Sequence, residues 1–128
     1  MLRTARVGRL GLLDDHDRPR VLPVTFALVE DAVYTAIDNK PKASREPARV
    51  RYLRRRPEAA LTVDRYDDDW AQLAWVQVLG RVELLDAAAA PAAMEALAAK
   101  YEPYRREAPP GPLLKLAPER VLHWRAAD

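Results

Sequence analysis

Cysteine is absent from the 128 residues, glycine occurs four times, and Ser44 is the sole serine. Without cysteine there is no disulfide scaffold, no cysteine-ligated zinc or iron–sulfur site and no thiol catalysis. With four glycines and neither a GxGxxG nor a Walker pattern, a glycine-rich phosphate loop is excluded. Ser44 sits in a basic segment with no histidine near it in sequence, which argues against a serine hydrolase. The two histidines, His16 in a turn-like stretch and His123 beside Trp124, lack metal-ligand spacing, so structural roles and no metal are expected. Asp64 and Asp67 to Asp69 lack the alternating-acid pattern with a distal glutamate that a calcium loop needs. No apolar run approaches the roughly 18 residues of a membrane span, and Met1 to Arg9 is too basic and broken for a signal peptide. These absences lead us to expect a soluble, cytoplasmic protein with no membrane partner. They also remove any self-contained catalytic constellation: if the chain is an enzyme, a cofactor carries the chemistry.

What is present is one domain's worth of ordinary globular composition, residues 1–128. The net charge of +2 hides an uneven distribution. Lys40 to Arg56 holds eight cations (Lys40, Lys42, Arg45, Arg49, Arg51, Arg54, Arg55, Arg56) against Glu46, a net of +7, so the remainder carries −5. Such a segment is either a solvated basic face or the site of an anion: nucleic acid, a phosphorylated cofactor or a polycarboxylate. Asp67 to Asp69 and the acidic remainder would repel a nucleic-acid backbone, so no nucleic acid is expected. The aromatics Tyr52, Tyr66, Trp70, Trp75 and Trp124 are scattered, without an RNA-binding signature, and are expected in the core or at a subunit interface.

Short apolar runs separated by polar turns make the first half β-structure. Gly8 to Leu13, Arg20 to Val29 and Val33 to Ile37 read as the first three strands, with Pro23 marking an edge or bulge. A short helix follows, with Ser44 as its cap, Pro47 in its first turn and Pro57 as its stop; Val50 and Leu53 face inward and the arginines outward. Ala59 to Tyr66 and Leu73 to Leu85 are further strands, the latter bent at Gly80. Asp86 to Arg106 reads as one long helix, and Leu113 to Leu116 with Arg120 to Arg125 as a last β-element. The fold class is mainly β (α+β): a six- or seven-stranded antiparallel barrel with two helices.

The segments PVTFAL, YTAIDNKPK, DRYDDDW and AAKYEPYR, in this order from about Arg6 to Trp124, resemble the pyridoxamine-phosphate-oxidase-like split β-barrels. More narrowly they resemble the actinobacterial F420-dependent deazaflavin oxidoreductases. The resemblance implies a homodimer with a flavin or deazaflavin ring in a groove between subunits. It would put Arg20, Leu22, Pro23, Val24 and Thr25 beside the ring and Tyr34, Thr35 and Ala36 along the groove. Lys40 and Lys42 would hold the cofactor phosphate, although Lys-Pro-Lys here replaces the Ser-Arg-Lys of the oxidases. Arg54 and Arg55 would reach the phosphate or an acidic tail, and Trp75 and Gln77 would approach the ring, from the same subunit or the other. The implied activity is hydride transfer from reduced coenzyme F420 to a small organic substrate, with water or Tyr34 as proton donor. The +7 segment favours F420, with its oligoglutamate tail, over the alternative FMN. A non-catalytic binder of flavin, F420 or heme is the other reading.

Overall fold

The long apolar run from Arg20 to Val29 closes the barrel. In the computed structural model, which describes residues 1–37 and 46–126, this run is two strands meeting at Thr25: β2, Pro19–Val24, and β3, Phe26–Val29. The other strands are β1, Gly8–Leu13; β4, Ala32–Thr35; β5, Glu58–Arg65; β6, Ala74–Leu85; and β7, Leu113–Arg125. They form one antiparallel sheet in the order β2-β1-β5-β6-β7-β4-β3. β2 pairs with β1 (Leu10 opposite Leu22) and β3 with β4 (Phe26 opposite Thr35), so the ribbon leaves one end of the sheet and joins the other. The sheet curls until its ends meet at Thr25, which makes a split barrel. Pro23 lies on the edge strand, where its missing N–H leaves no ladder bond unmade.

Side-chain alternation fills the interior. Leu10, Leu12, Val24, Phe26, Val33, Leu61, Val63, Val78, Val82, Leu114 and Leu116 form one buried cluster, with Val50 and Leu53 contributed by α1, Ala48–Arg55. The cap position of α1 falls on Pro47, which makes no side-chain cap bond; Ser44 lies outside the described residues.

β6 and β7 pair over nearly their full lengths, with a bulge between Leu79 and Gly80 opposite the Pro118 region. A Cβ on Gly80 would come 2.0 Å from the Ala117 carbonyl, so only glycine allows the strands this close. The final β-element is therefore a single strand: Pro118 stays in register opposite Gly80, and the bulge leaves Glu119 unpaired in the ladder rather than ending the pairing.

The second helical region corrects the expectation of one helix from Asp86. A 3-10 turn at Ala87–Ala89 is followed by α2, Pro91–Lys100, and α3, Glu102–Arg106, giving three helices among the described residues. Pro103 has no N–H and its ring would clash with the preceding turn, so the helix breaks at Tyr101 and restarts. Ala93, Leu97 and Tyr101 pack with Ala27, Ala36 and Leu113 in a second cluster on the other face of the sheet.

This helix pair pins the barrel seam. Where the ribbon leaves β1, Phe26 has a backbone edge without a strand beside it. The Tyr101 hydroxyl accepts from the Phe26 N–H at 3.1 Å and lies 2.8 Å from the Arg6 carbonyl and 3.1 Å from the Phe26 carbonyl, either of which can take its proton. The Lys100 ammonium donates to the Phe26 carbonyl at 2.9 Å. Thr25 Oγ1 and the Tyr104 hydroxyl lie 2.7 Å apart.

Candidate functional site

Most arginines of α1 are answered within the chain. The polar turn between β1 and β2 folds against the helix, where Arg51 pairs with Asp15 at 3.1 Å and Arg55 with Asp17 at 2.8 Å. Arg56 reaches Asp17 at 2.8 Å and Glu58 at 3.5 Å, and Arg54 pairs with Glu46 at 2.7 Å. Arg55 also donates to the Asp14 carbonyl. Much of the countercharge of the +7 segment is thus internal: Asp15 and Asp17, 36 to 39 residues away in sequence, supply it together with Glu46 and Glu58.

The turn that presents these acids is itself well made. The Asp14 carboxylate accepts from the backbone N–H groups of His16 and Arg18, and these bonds hold it below the usual carboxylate range. The Arg55 guanidinium does the same for Asp17. A carboxylate whose native pKa is depressed stabilises the fold above its ordinary pKa, and that contribution is lost as the pH falls through the native value. The clasp between turn and helix is therefore expected to hold at neutral pH and to release on acidification below 3.8, the ordinary aspartate value. Thermal midpoints measured against pH check this: wild type should exceed Asp17→Asn at neutral pH, and the difference should vanish in acid.

What the clasp leaves free is more informative. Arg49 lies one position before the buried Val50, and Tyr52, three residues on, shares its side of the helix. Together with Pro47 and Ala48 they face Arg20 and Leu22 of β2 across a pocket of about 190 Å3. Among the described residues neither Arg20 nor Arg49 forms an ion pair. Among the described residues the pocket thus combines two guanidiniums without a paired acid and an apolar and aromatic wall, a donor set suited to an oxyanion such as phosphate.

Of the residues singled out in the sequence, only Arg20 and Leu22 line this pocket. Pro23 is exposed on the same edge strand, Val24 points into the core, and Thr25 is tied to Tyr104. Tyr34 and Ala36 pack toward the α2 cluster, whereas Thr35 lies buried on the opposite face of β4 with its hydroxyl unpaired. Tyr34 and Thr35 therefore lie on opposite faces of β4, and Ala36, just past its end, lies on the side of Tyr34. Arg54 and Arg55 are engaged by Glu46 and Asp17. Trp75 sits on the outer face of β6, opposite Trp124 of β7, and Gln77 on that face donates to Thr62 Oγ1 at 3.0 Å. Lys40 and Lys42 lie outside the described residues.

The sequence reading missed Arg49, Tyr52 and Pro47. The available signal is the three-residue spacing of Arg49 and Tyr52, which puts both on one side of the helix.

Comparison with known proteins adds three findings. Residues 1–125 match the sequence family described as pyridoxamine 5'-phosphate oxidase. No match emerges among curated protein sequences. Among solved structures, a heme-binding protein from Mycobacterium smegmatis superposes with a TM-score of 0.78 at 19% identity, covering 96% of this chain and 50% of that one. An FAD-binding protein from Mesorhizobium loti gives 0.73 at 22% identity, covering 98% and 90%. A conserved hypothetical protein from Mycobacterium tuberculosis gives 0.76 at 14% identity, covering 95% and 78%. The chain spans only half the length of the heme-binding protein, and at these identities the likeness is one of fold. Among the described residues no group of three or more metal-binding side chains occurs, and no helix is long and apolar enough to cross a membrane.

Proposed function

The chain belongs to the pyridoxamine 5'-phosphate oxidase family, and on that premise we propose that it is an oxidoreductase binding an anionic flavin-type cofactor, coenzyme F420 in preference to FMN. The observation that carries this reading is the pocket that Arg20 and Arg49 both line, with no carboxylate among its described lining residues. These two guanidiniums would hold the cofactor's phosphate, and Leu22 and Tyr52 would pack against its apolar portion. Lys40, Lys42 and Arg45 precede α1 in the chain and would extend the positive charge along a polyanionic tail. That extension is the reason to prefer F420, which presents several negative charges where FMN presents one terminal phosphate.

When bound and reduced, the cofactor would supply a hydride to a small unsaturated organic substrate. The chain's own contribution is to position the ring and substrate together and to exclude water around them. Tyr34 packs beneath α2, so solvent is the simpler proton source. We place the ring at a homodimer groove, because Trp75, Trp124 and Val21 leave the outer sheet face apolar and exposed, a surface that a second copy would cover.

Titrating the purified protein with F420, FMN and heme, followed by visible absorbance and fluorescence, tests the reading. F420 is expected to saturate and to turn over with an enone or quinone panel. Tight FMN binding without F420 binding would reverse the cofactor assignment. Binding of heme alone, or of none of the three, would end the proposal.

A further inference from the structure

A second cationic site lies at the seam, built from different elements. A pocket of about 310 Å3 opens between α2 and β3, lined by Arg3, Ala27, Leu28, Ala96, Ala99 and Lys100. The short side chains of Ala27, Ala96 and Ala99 leave room beside Leu28, which makes one wall apolar. The other wall carries charge of one sign. Lys100 lies at the C-terminal end of α2 with its ammonium 3.9 Å from the centre of the Phe26 ring, and the Arg6 guanidinium lies 4.8 Å from that of Tyr101. Arg105 is occupied in donating to the Ala98 and Ala99 carbonyls. Among the described residues no acid pairs with Arg3, Arg6 or Lys100.

We infer that this pocket is a binding site for a small organic carboxylate with an aliphatic body, its charged end held by Lys100 and Arg3 and its chain laid on Ala27, Leu28, Ala96 and Ala99. A half-buried cation with only a carbonyl and two aromatic faces around it is incompletely compensated, since burial removes solvation that those groups only partly replace. A carboxylate provides both the missing charge and charge-assisted hydrogen bonds. The groups facing Lys100 are consistent with this. Arg3 and Arg6 come from the N-terminal segment, Tyr101 from the α2–α3 junction and the Phe26 carbonyl from β3. Burial and the Arg6 charge push Lys100 down to about 8. The apolar wall favours an aliphatic carboxylate over a bare inorganic anion. The site differs in every residue from the Arg20 and Arg49 pocket, so it is independent of the cofactor reading.

The test is an NMR pH titration of the Lys100 side chain in the full-length protein with hexanoate, hexylammonium or inorganic phosphate. Hexanoate should move the Lys100 titration from about 8 toward the ordinary lysine value of 10.5, because a bound carboxylate favours the ammonium. Hexylammonium should not, and phosphate should act only at higher concentration. Arg3 is exposed and has no ion pair among the described residues, so Arg3→Gln should fold normally and weaken hexanoate binding about tenfold. Arg20→Ala/Arg49→Ala should leave hexanoate binding unchanged. No movement of Lys100 with hexanoate, or full affinity in Arg3→Gln, would overturn the site. Phosphate matching hexanoate would overturn the ligand class, and loss of binding in Arg20→Ala/Arg49→Ala would show that the anion occupies the other pocket.

Discussion

Alanine at both Arg20 and Arg49 is expected to weaken F420 binding about a hundred-fold, with the thermal midpoint nearly unchanged. Hydrogen bonds to a charged group contribute about 1.5–3 kcal/mol each, and each 1.4 kcal/mol is a factor of ten. Arg20 is exposed on an edge strand, so the lower end of that range applies and each single substitution should cost about tenfold. Neither arginine supports the fold through an ion pair among the described residues. The informative control is Arg54→Ala, whose partner is Glu46. If the helix acts as an undifferentiated positive surface, Arg54→Ala should hurt binding as much as Arg49→Ala; if the pocket is the site, it should hurt far less. Fluorescence titration of the four variants decides between these outcomes.

Phe26→Ala should come close to unfolding the protein. The ring is fully buried at the point where β2 passes into β3, and it serves the barrel core while its backbone and face hold Tyr101 and Lys100. Truncating a buried phenylalanine costs about 3–5 kcal/mol, against a total stability of about 5–15 kcal/mol for a domain. The loss should exceed that from Leu28→Ala, two residues along the same face but only half-buried. Urea unfolding of the two variants measures it, and equal midpoints would mean that the seam bears no special share of the stability.

The strands and α1 were legible because alternation and the bounding prolines are local signals. The break at Thr25 was not, and the reason is physical. Leu22, Val24, Phe26 and Leu28 all face the interior cluster, so the alternation runs through Thr25 without a fault. Alternation encodes which face a residue takes, not which strand lies beside it, and here the ribbon changes neighbours while keeping its face. Pro103 is a readable local signal for the helix break, but the alanine-rich pattern on its N-terminal side favours one helix running across it. At the site, the basic segment was visible, but its neutralisation by Asp15 and Asp17 depends on the turn folding back onto α1. Charge counts along the chain carry no such distance information, so they treat Arg49, Arg54 and Arg55 alike, although only Arg49 is left without an ion pair among the described residues.

The order of strands also bears on how the chain is made. β1 and β2 form one hairpin and β3 and β4 another, yet the sheet joins them only through β5, β6 and β7, which are synthesised later. A nascent chain that ends before β7 can hold no ladder linking its first two hairpins, and isolated hairpins are marginal in water. Tyr101, which ties down the seam, also emerges some 75 residues after Phe26. The ladder that joins the two hairpins and the tie at the seam can therefore form only after Tyr101 and β7 have been made, although β1 can already pair with β5 before then.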